Sequence, residues 1–199
     1  MKKVAMLLPF MVIIVFMLGR ISAQEFEPSC DMCDATYMSA EEIQRYENIA
    51  IETGAIDQQV RSVDIGKTNV QVALARRGEL SSRRGIVAEH DLVTEVYLVL
   101  SGSGTLLTSP DLVNPVRRPP DNVAVQRLNG PGNNAEDVRN GKINEIKTGD
   151  VVIIPAGTGH EFTKIDDHIT YLMVRVDPDK VVPLMDAGDS ERYLKEKGK

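Results

Sequence analysis

Two blocks constrain this 199-residue chain more than all the rest of it. Residues 85–102 read GIVAEHDLVTEVYLVLSG and residues 149–164 read GDVVIIPAGTGHEFTK. Both alternate β-branched and other apolar residues with polar ones and are broken by Gly or Pro, the pattern of short strands joined by tight turns. Each carries one histidine, His90 and His160, and the first adds Glu95. Two imidazoles and one carboxylate form a ligand set for a divalent ion. A small barrel can bring such strands together, because alternate residues of each strand point inward.

The texture around the blocks agrees with a barrel. Strand patterns recur at 59–65, 70–75, 85–92, 95–108, 142–147, 151–154, 160–164 and 169–176, with turn residues between them. The sequence Gly102-Ser103-Gly104 marks a tight bend inside the longest strand. No helix stands between strands as a parallel crossover would need, so the sheets are predicted antiparallel. The fold class is all-β, a double-sheet jelly roll, with one short helix before it. Ser39, with Glu42 three positions on, is a capping-box signature for that helix over 40–50, and Gly54 ends it. No internal repeat is present, so one barrel is expected.

The two blocks resemble the signature motifs of the cupin superfamily. In the first, His90 falls on the second His position, Glu95 on the Glu and Gly102 on the closing Gly; Ala88 stands where the first His would be, and Ser82 where the opening Gly would be. In the second, Gly149, Pro155, Gly157 and His160 keep the spacing, and Lys164 replaces the final Asn. The resemblance covers roughly residues 59–178. It implies a double-stranded β-helix (jelly-roll) barrel, a homodimer, and in many members a metal held by these residues with a third His. Known members include dioxygenases, isomerases, decarboxylases and lyases, and the resemblance selects none of them, because a fold does not fix a reaction.

Strand parity adds a separate reading. Ala88 shares a face with His90, Glu95 with Tyr97 and Val99, and His160 with Phe162. Turning His90, Glu95 and His160 inward therefore lines a mostly apolar pocket with Ala88, Tyr97, Val99 and Phe162, the usual form of a small-molecule site. A 2-His-1-carboxylate set with open positions suits Fe, and three ligands plus water suit Zn; Mn and Ni fit the donor types as well. The vacancy at Ala88 has two readings, wider access to the metal or a degenerate site that holds none. Tyr97 reads as packing, or as an acid or orienting donor in catalysis. Glu95 reads as a ligand, or as a buried acid satisfied by His90 or an arginine. His168, beside Asp166-Asp167, reads as an exposed turn residue, Lys164 as a rim residue, and Arg83-Arg84 as a solvated pair that could also attract an anionic substrate. The function expected is that of an exported protein with a small-molecule pocket and a His-His-Glu divalent metal site, open to a metal-dependent reaction of oxygenase, isomerase or lyase type. The alternative is a non-catalytic small-molecule or metal binding protein with a degenerate site.

The chain divides into 1–23, 24–58, a barrel over 59–180 with an insertion at 109–141, and a tail at 181–199. Residues 1–23 have a secretory order: Lys2 and Lys3, an apolar run from Val4 to Gly19, then a small residue at Ala23. The chain is expected to be exported, periplasmic or secreted, with the membrane involved only if this segment stays uncleaved as an anchor. Cys30 and Cys33 are the only cysteines and read first as a structural disulfide, with a redox pair as the alternative. The insertion, rich in Pro, Gly and Asn, reads as a lid, an oligomer contact or a plain variable insertion. The tail from Asp186 reads as charged and exposed. A net charge of −6 and the absence of Trp argue against a nucleic-acid footprint. No phosphate-binding Gly loop and no Gly-x-Ser-x-Gly elbow occurs.

Overall fold

The computed structural model describes residues 27–198, so the reading of residues 1–23 as a signal lies outside the described residues. Helix α1 (Ala40–Thr53) precedes strands β1 (Asp57–Asp64), β2 (Asn69–Arg77), β3 (Val87–His90) and β4 (Thr94–Ser109). The 109–141 segment follows with β5 (Leu112–Val113), β6 (Val116–Arg117), one π-helical turn (Val125–Asn129), β7 (Gly132–Ala135) and β8 (Asp137–Val138). Then come β9 (Lys142–Lys147), β10 (Val151–Ile154), β11 (Gly159–Lys164), β12 (Ile169–Asp177) and helix α2 (Ala187–Lys197). Among the described residues no helix is long and apolar enough to cross a membrane.

The architecture turns on β4. Its first half pairs with β12 and β10, and its second half with β11 and β9. One sheet therefore runs β1-β2-β12-β4-β10 and the other β9-β4-β11-β3-β7-β6, every ladder antiparallel. The chain is an all-β jelly roll with a short helix before it. Gly102 makes the corner at φ +74, where a Cβ would lie 1.9 Å from the carbonyl oxygen of His168. Only glycine meets both demands.

Two apolar clusters hold the layers. Tyr97, Val99, Leu106, Phe162, Tyr171 and Met173 fill the space between the sheets. Burial of one such side chain contributes roughly 1.5–3 kcal/mol. Outside the barrel, Tyr46 and Ile49 of α1 pack on Val60, Leu74 and Leu194. Ser39 accepts from the Glu42 amide at 3.1 Å, and Gly54 closes α1 in the left-handed conformation at φ +72. The Glu42 carboxylate takes Arg61 of β1 at 2.8 Å rather than the backbone of Ser39, so a helix cap becomes a tie to the sheet.

Three sequence readings are refined here. The tail is charged and mostly exposed, but it is helical and docked: α2 carries a full Asp186–Asp189 capping box, buries Leu194 and stacks Tyr193 on Tyr46 at 5.4 Å between ring centroids. Its apolar positions are too few to stand out among charges. The insertion is no open loop, since β7 pairs with β3 and β6 with β7, which extends the second sheet. Arg83 is exposed but also paired; it bonds Glu161 at 2.6 Å and Asp137 at 2.8 Å. Cys30 and Cys33 form a disulfide in the arm before α1.

Candidate metal centre

His90 ends β3, Glu95 lies near the start of β4 and His160 follows Gly159 on β11. The turn before β11 ties the blocks together: Gly157 donates its N–H to the carbonyl of His90 at 2.7 Å, at φ +79. His90 Nε2 lies 3.6 Å from Glu95 Oε1, and His160 Nε2 lies 3.5 Å from Glu95 Oε2. One ligating atom from each residue falls within 4.8 Å of the others, and all three residues are buried. These separations suit donors at about 2.0–2.2 Å from a shared ion. By donor type and spacing the residues fit a divalent cation.

Electrostatics keep the imidazoles neutral. Burial pushes His90 down to about 3, against the pull of Glu95. Burial lowers His160 too, again opposed by Glu95. Neutral imidazole is the form that ligates. Burial alone would raise Glu95, but electrostatic coupling to His90, Arg175 and His160 outweighs it and holds the carboxyl below its usual range; with both imidazoles neutral, the Arg175 cation is the charge that keeps it ionised.

The surroundings of the two histidines differ. His160 Nδ1 lies 3.2 Å from the carbonyl of Thr158, which accepts its N–H and leaves Nε2 a lone pair facing Glu95. His90 Nδ1 lies 3.2 Å from a terminal nitrogen of Arg118. A guanidinium only donates. His90 Nδ1 therefore accepts, and its proton sits on Nε2. Ligation by His90 requires that proton to leave and Arg118 to yield. Arg118 also donates to the carbonyls of Glu89 and Asn133.

Glu95 has two further partners. Arg175 of β12, opposite it in register, donates Nε to Oε1 at 2.9 Å. Tyr97 donates its hydroxyl to Oε2 at 2.8 Å. Burial first, then the Glu95 charge, raises Tyr97 well above its ordinary value, so its hydroxyl stays protonated and orients the carboxylate.

A cavity of about 600 Å³ opens onto His160, Tyr97, Phe162 and Ala88. Ala88 pairs directly across from His160, so the small side chain leaves that imidazole open to the cavity. Val99 does not line it. Its place further along β4 puts it deeper in the inter-sheet core, where it is 2% exposed. His168 bonds Ser101 and Asp167 and takes no part in the site. Lys164 is exposed and paired with Asp166.

Sequence reading missed Arg175 and Arg118. Arg175 had a signal, as the one cation in the alternating face Ile169, Tyr171, Met173, Arg175. Arg118 had none; it lies in the insertion, far along the chain from His90.

No family model and no curated protein matches this sequence. Several solved structures are similar to it. A protein from Bacillus halodurans is 15% identical with a TM-score of 0.42, covering 79% of this chain and 91% of that one. A cupin protein from Bacteroides fragilis is 15% identical at 0.37, covering 77% and 93%. A cupin 2 conserved barrel domain protein from Salinispora arenicola is 14% identical at 0.32, covering 70% and 82%. The jelly roll itself stands on the strand pairing of this chain.

Proposed function

We propose that this jelly roll is an exported cupin barrel that holds a divalent ion on His90, Glu95 and His160 and presents it to a small molecule in the adjoining cavity. The observation that carries the reading is the convergence of three buried ligating atoms within 4.8 Å, supplied by both motif blocks. A divalent ion there supplies Lewis-acid polarisation of a ligand oxygen. Tyr97 orients Glu95, Thr158 fixes the tautomer of His160, and Ala88 leaves the approach open. Export is supported by the order of residues 1–23 and by the Cys30–Cys33 disulfide.

The test is metal content of the purified chain, with cobalt(II) titration of the stripped protein. About one equivalent per chain is expected, as one ligand set holds one ion. His160→Ala abolishes uptake; unchanged uptake refutes the ligand assignment. A second reading, a non-catalytic small-molecule-binding barrel, is favoured by the contact of Arg118 with His90. Failure of the wild-type chain to take up Co(II), Zn(II), Mn(II), Ni(II) or Fe(II) selects it.

A further inference from the structure

The cavity beside His160 is lined on another side by Arg76, Arg77 and Arg84. None of the three makes an ion pair among the described residues, whereas Arg61, Arg83 and Arg175 all do. The chain carries 29 acidic and 23 basic residues, so acids are not in short supply. Arg77 is the innermost of them. It ends the face of β2 that carries Ala73 and Ala75 into the inter-sheet core. Its guanidinium lies 5.5 Å above the Phe162 ring and donates Nε to the Tyr171 hydroxyl at 3.1 Å. An aromatic face and a phenol offset part of the cost of a half-buried cation and leave its terminal nitrogens free. Arg76 adds a buried Nε with no hydrogen-bond partner. Arg84 is exposed at the mouth, and so is Glu79, the cavity's one exposed carboxylate.

We propose that this cavity binds a small organic carboxylate, with its charged end on Arg77 and its apolar body against Phe162, Leu80 and Ile165. The inference rests on reading this cavity as the small-molecule site, and it needs no metal. A guanidinium fork matches a carboxylate in two parallel hydrogen bonds. The volume of about 600 Å³ lies within the usual range for small ligands. Phe162 and His160 are two residues apart on one face of β11, a step of about 7 Å. A carboxylate held over the Phe162 ring thus stands about one such step from His160. The substrate class implied is an organic acid whose reacting carbon stands a short distance from its carboxylate.

The test uses the full mature chain stripped with EDTA, titrated calorimetrically with acetate, hexanoate and benzoate, and with benzamide as the neutral isostere of benzoate. At least one of the larger carboxylates binds, more tightly than acetate, and benzoate binds at least tenfold more tightly than benzamide. Arg77→Met loses at least tenfold in carboxylate affinity, and Arg77→Lys recovers part of it. In the wild-type chain, nuclear Overhauser contacts join the ligand to the Phe162 ring, so the test stands even if the variants misfold. No binding of any carboxylate below about 10 mM, a free energy near −3 kcal/mol, overturns the proposal. So does equal affinity for benzamide, or an unaltered Arg77→Met. Carboxylate binding that appears only on adding Zn(II) overturns it while leaving the metal reading in place. Carboxylate binding through Arg77 in a chain that takes up no metal does the reverse.

Discussion

Arg175 stands directly across the ladder from Glu95 and donates Nε to its Oε1 at 2.9 Å, with both side chains buried. The same guanidinium reaches Asp57 at 2.5 Å and Gln59 at 3.3 Å. One cation thus ties the candidate ligand Glu95 to β1 and fixes where the carboxylate can sit. Removing one partner of a buried pair leaves an uncompensated charge. Arg175→Leu should lower stability in urea by about 3–5 kcal/mol. Adding Glu95→Gln should restore part of that loss, with a coupling of at least ~1 kcal/mol in the double-mutant cycle. Additive losses would mean that the pair does not act as a unit.

Arg118 sets the tautomer of His90 against ligation. Arg118→Met keeps an apolar stem and removes the donor facing Nδ1. Cobalt(II) should bind this variant about tenfold more tightly, equivalent to ~1.4 kcal/mol. Thermal melting of the metal-free variant separates that gain from any loss of fold. Weaker binding would show that Arg118 supports the metal rather than competing with it.

The buried histidines make the metal-free fold acid-sensitive. His90 is near 6.5 in the unfolded chain and is pushed down to about 3 in the fold, first by burial. Between those values the unfolded state binds a proton that the native state refuses. Stability is therefore full above about pH 6.5 and falls as pH drops toward 3, by at most ~1.4 kcal/mol per pH unit for this residue. His160 is shifted in the same direction. Glu95, held below its usual range, adds to the loss once pH passes below the unfolded carboxylate value of about 4.3. Urea midpoints measured from pH 8 to 4 in EDTA should decline, and His90→Gln should flatten the decline.

The outer face of the first sheet is covered only in part. α1 and α2 pack over β1 and β2, while Leu98 and Leu100 of β4 and Val151 and Ile153 of β10 stay exposed, Ile153 at 67%. Val151 pairs with Leu98 across the ladder, so the patch is continuous, and β10 pairs on one side only. We propose a homodimer through this face, since apolar patches of this kind mark interaction surfaces. Wild-type chain should sediment as a dimer, and Leu98→Lys with Ile153→Lys as a monomer. A monomeric wild type would sink the proposal.

The barrel strands were legible because burial on one face writes a period of two into the sequence. Gly102 and Gly157 were legible because turns demand positive φ. The convergence of His90, Glu95 and His160 could be read in outline from parity and motif spacing. Val99 was misplaced because parity gives the face of a strand and not the depth along it. α2 was missed because two buried residues, Ser190 and Leu194, and the half-buried, stacked Tyr193 carry a helix whose other positions are mostly charged.

The sequence by itself determined which residues face inward, where the chain must bend and which donor types meet in the barrel. Only the tertiary structure decided what those donors are bonded to. Arg175 reaches Glu95 across 80 positions, Arg118 reaches His90 across 28, and Arg77 is left without a carboxylate. Such partnerships depend on strand order and register. Periodicity is a local property and carries no record of which strand lies beside which.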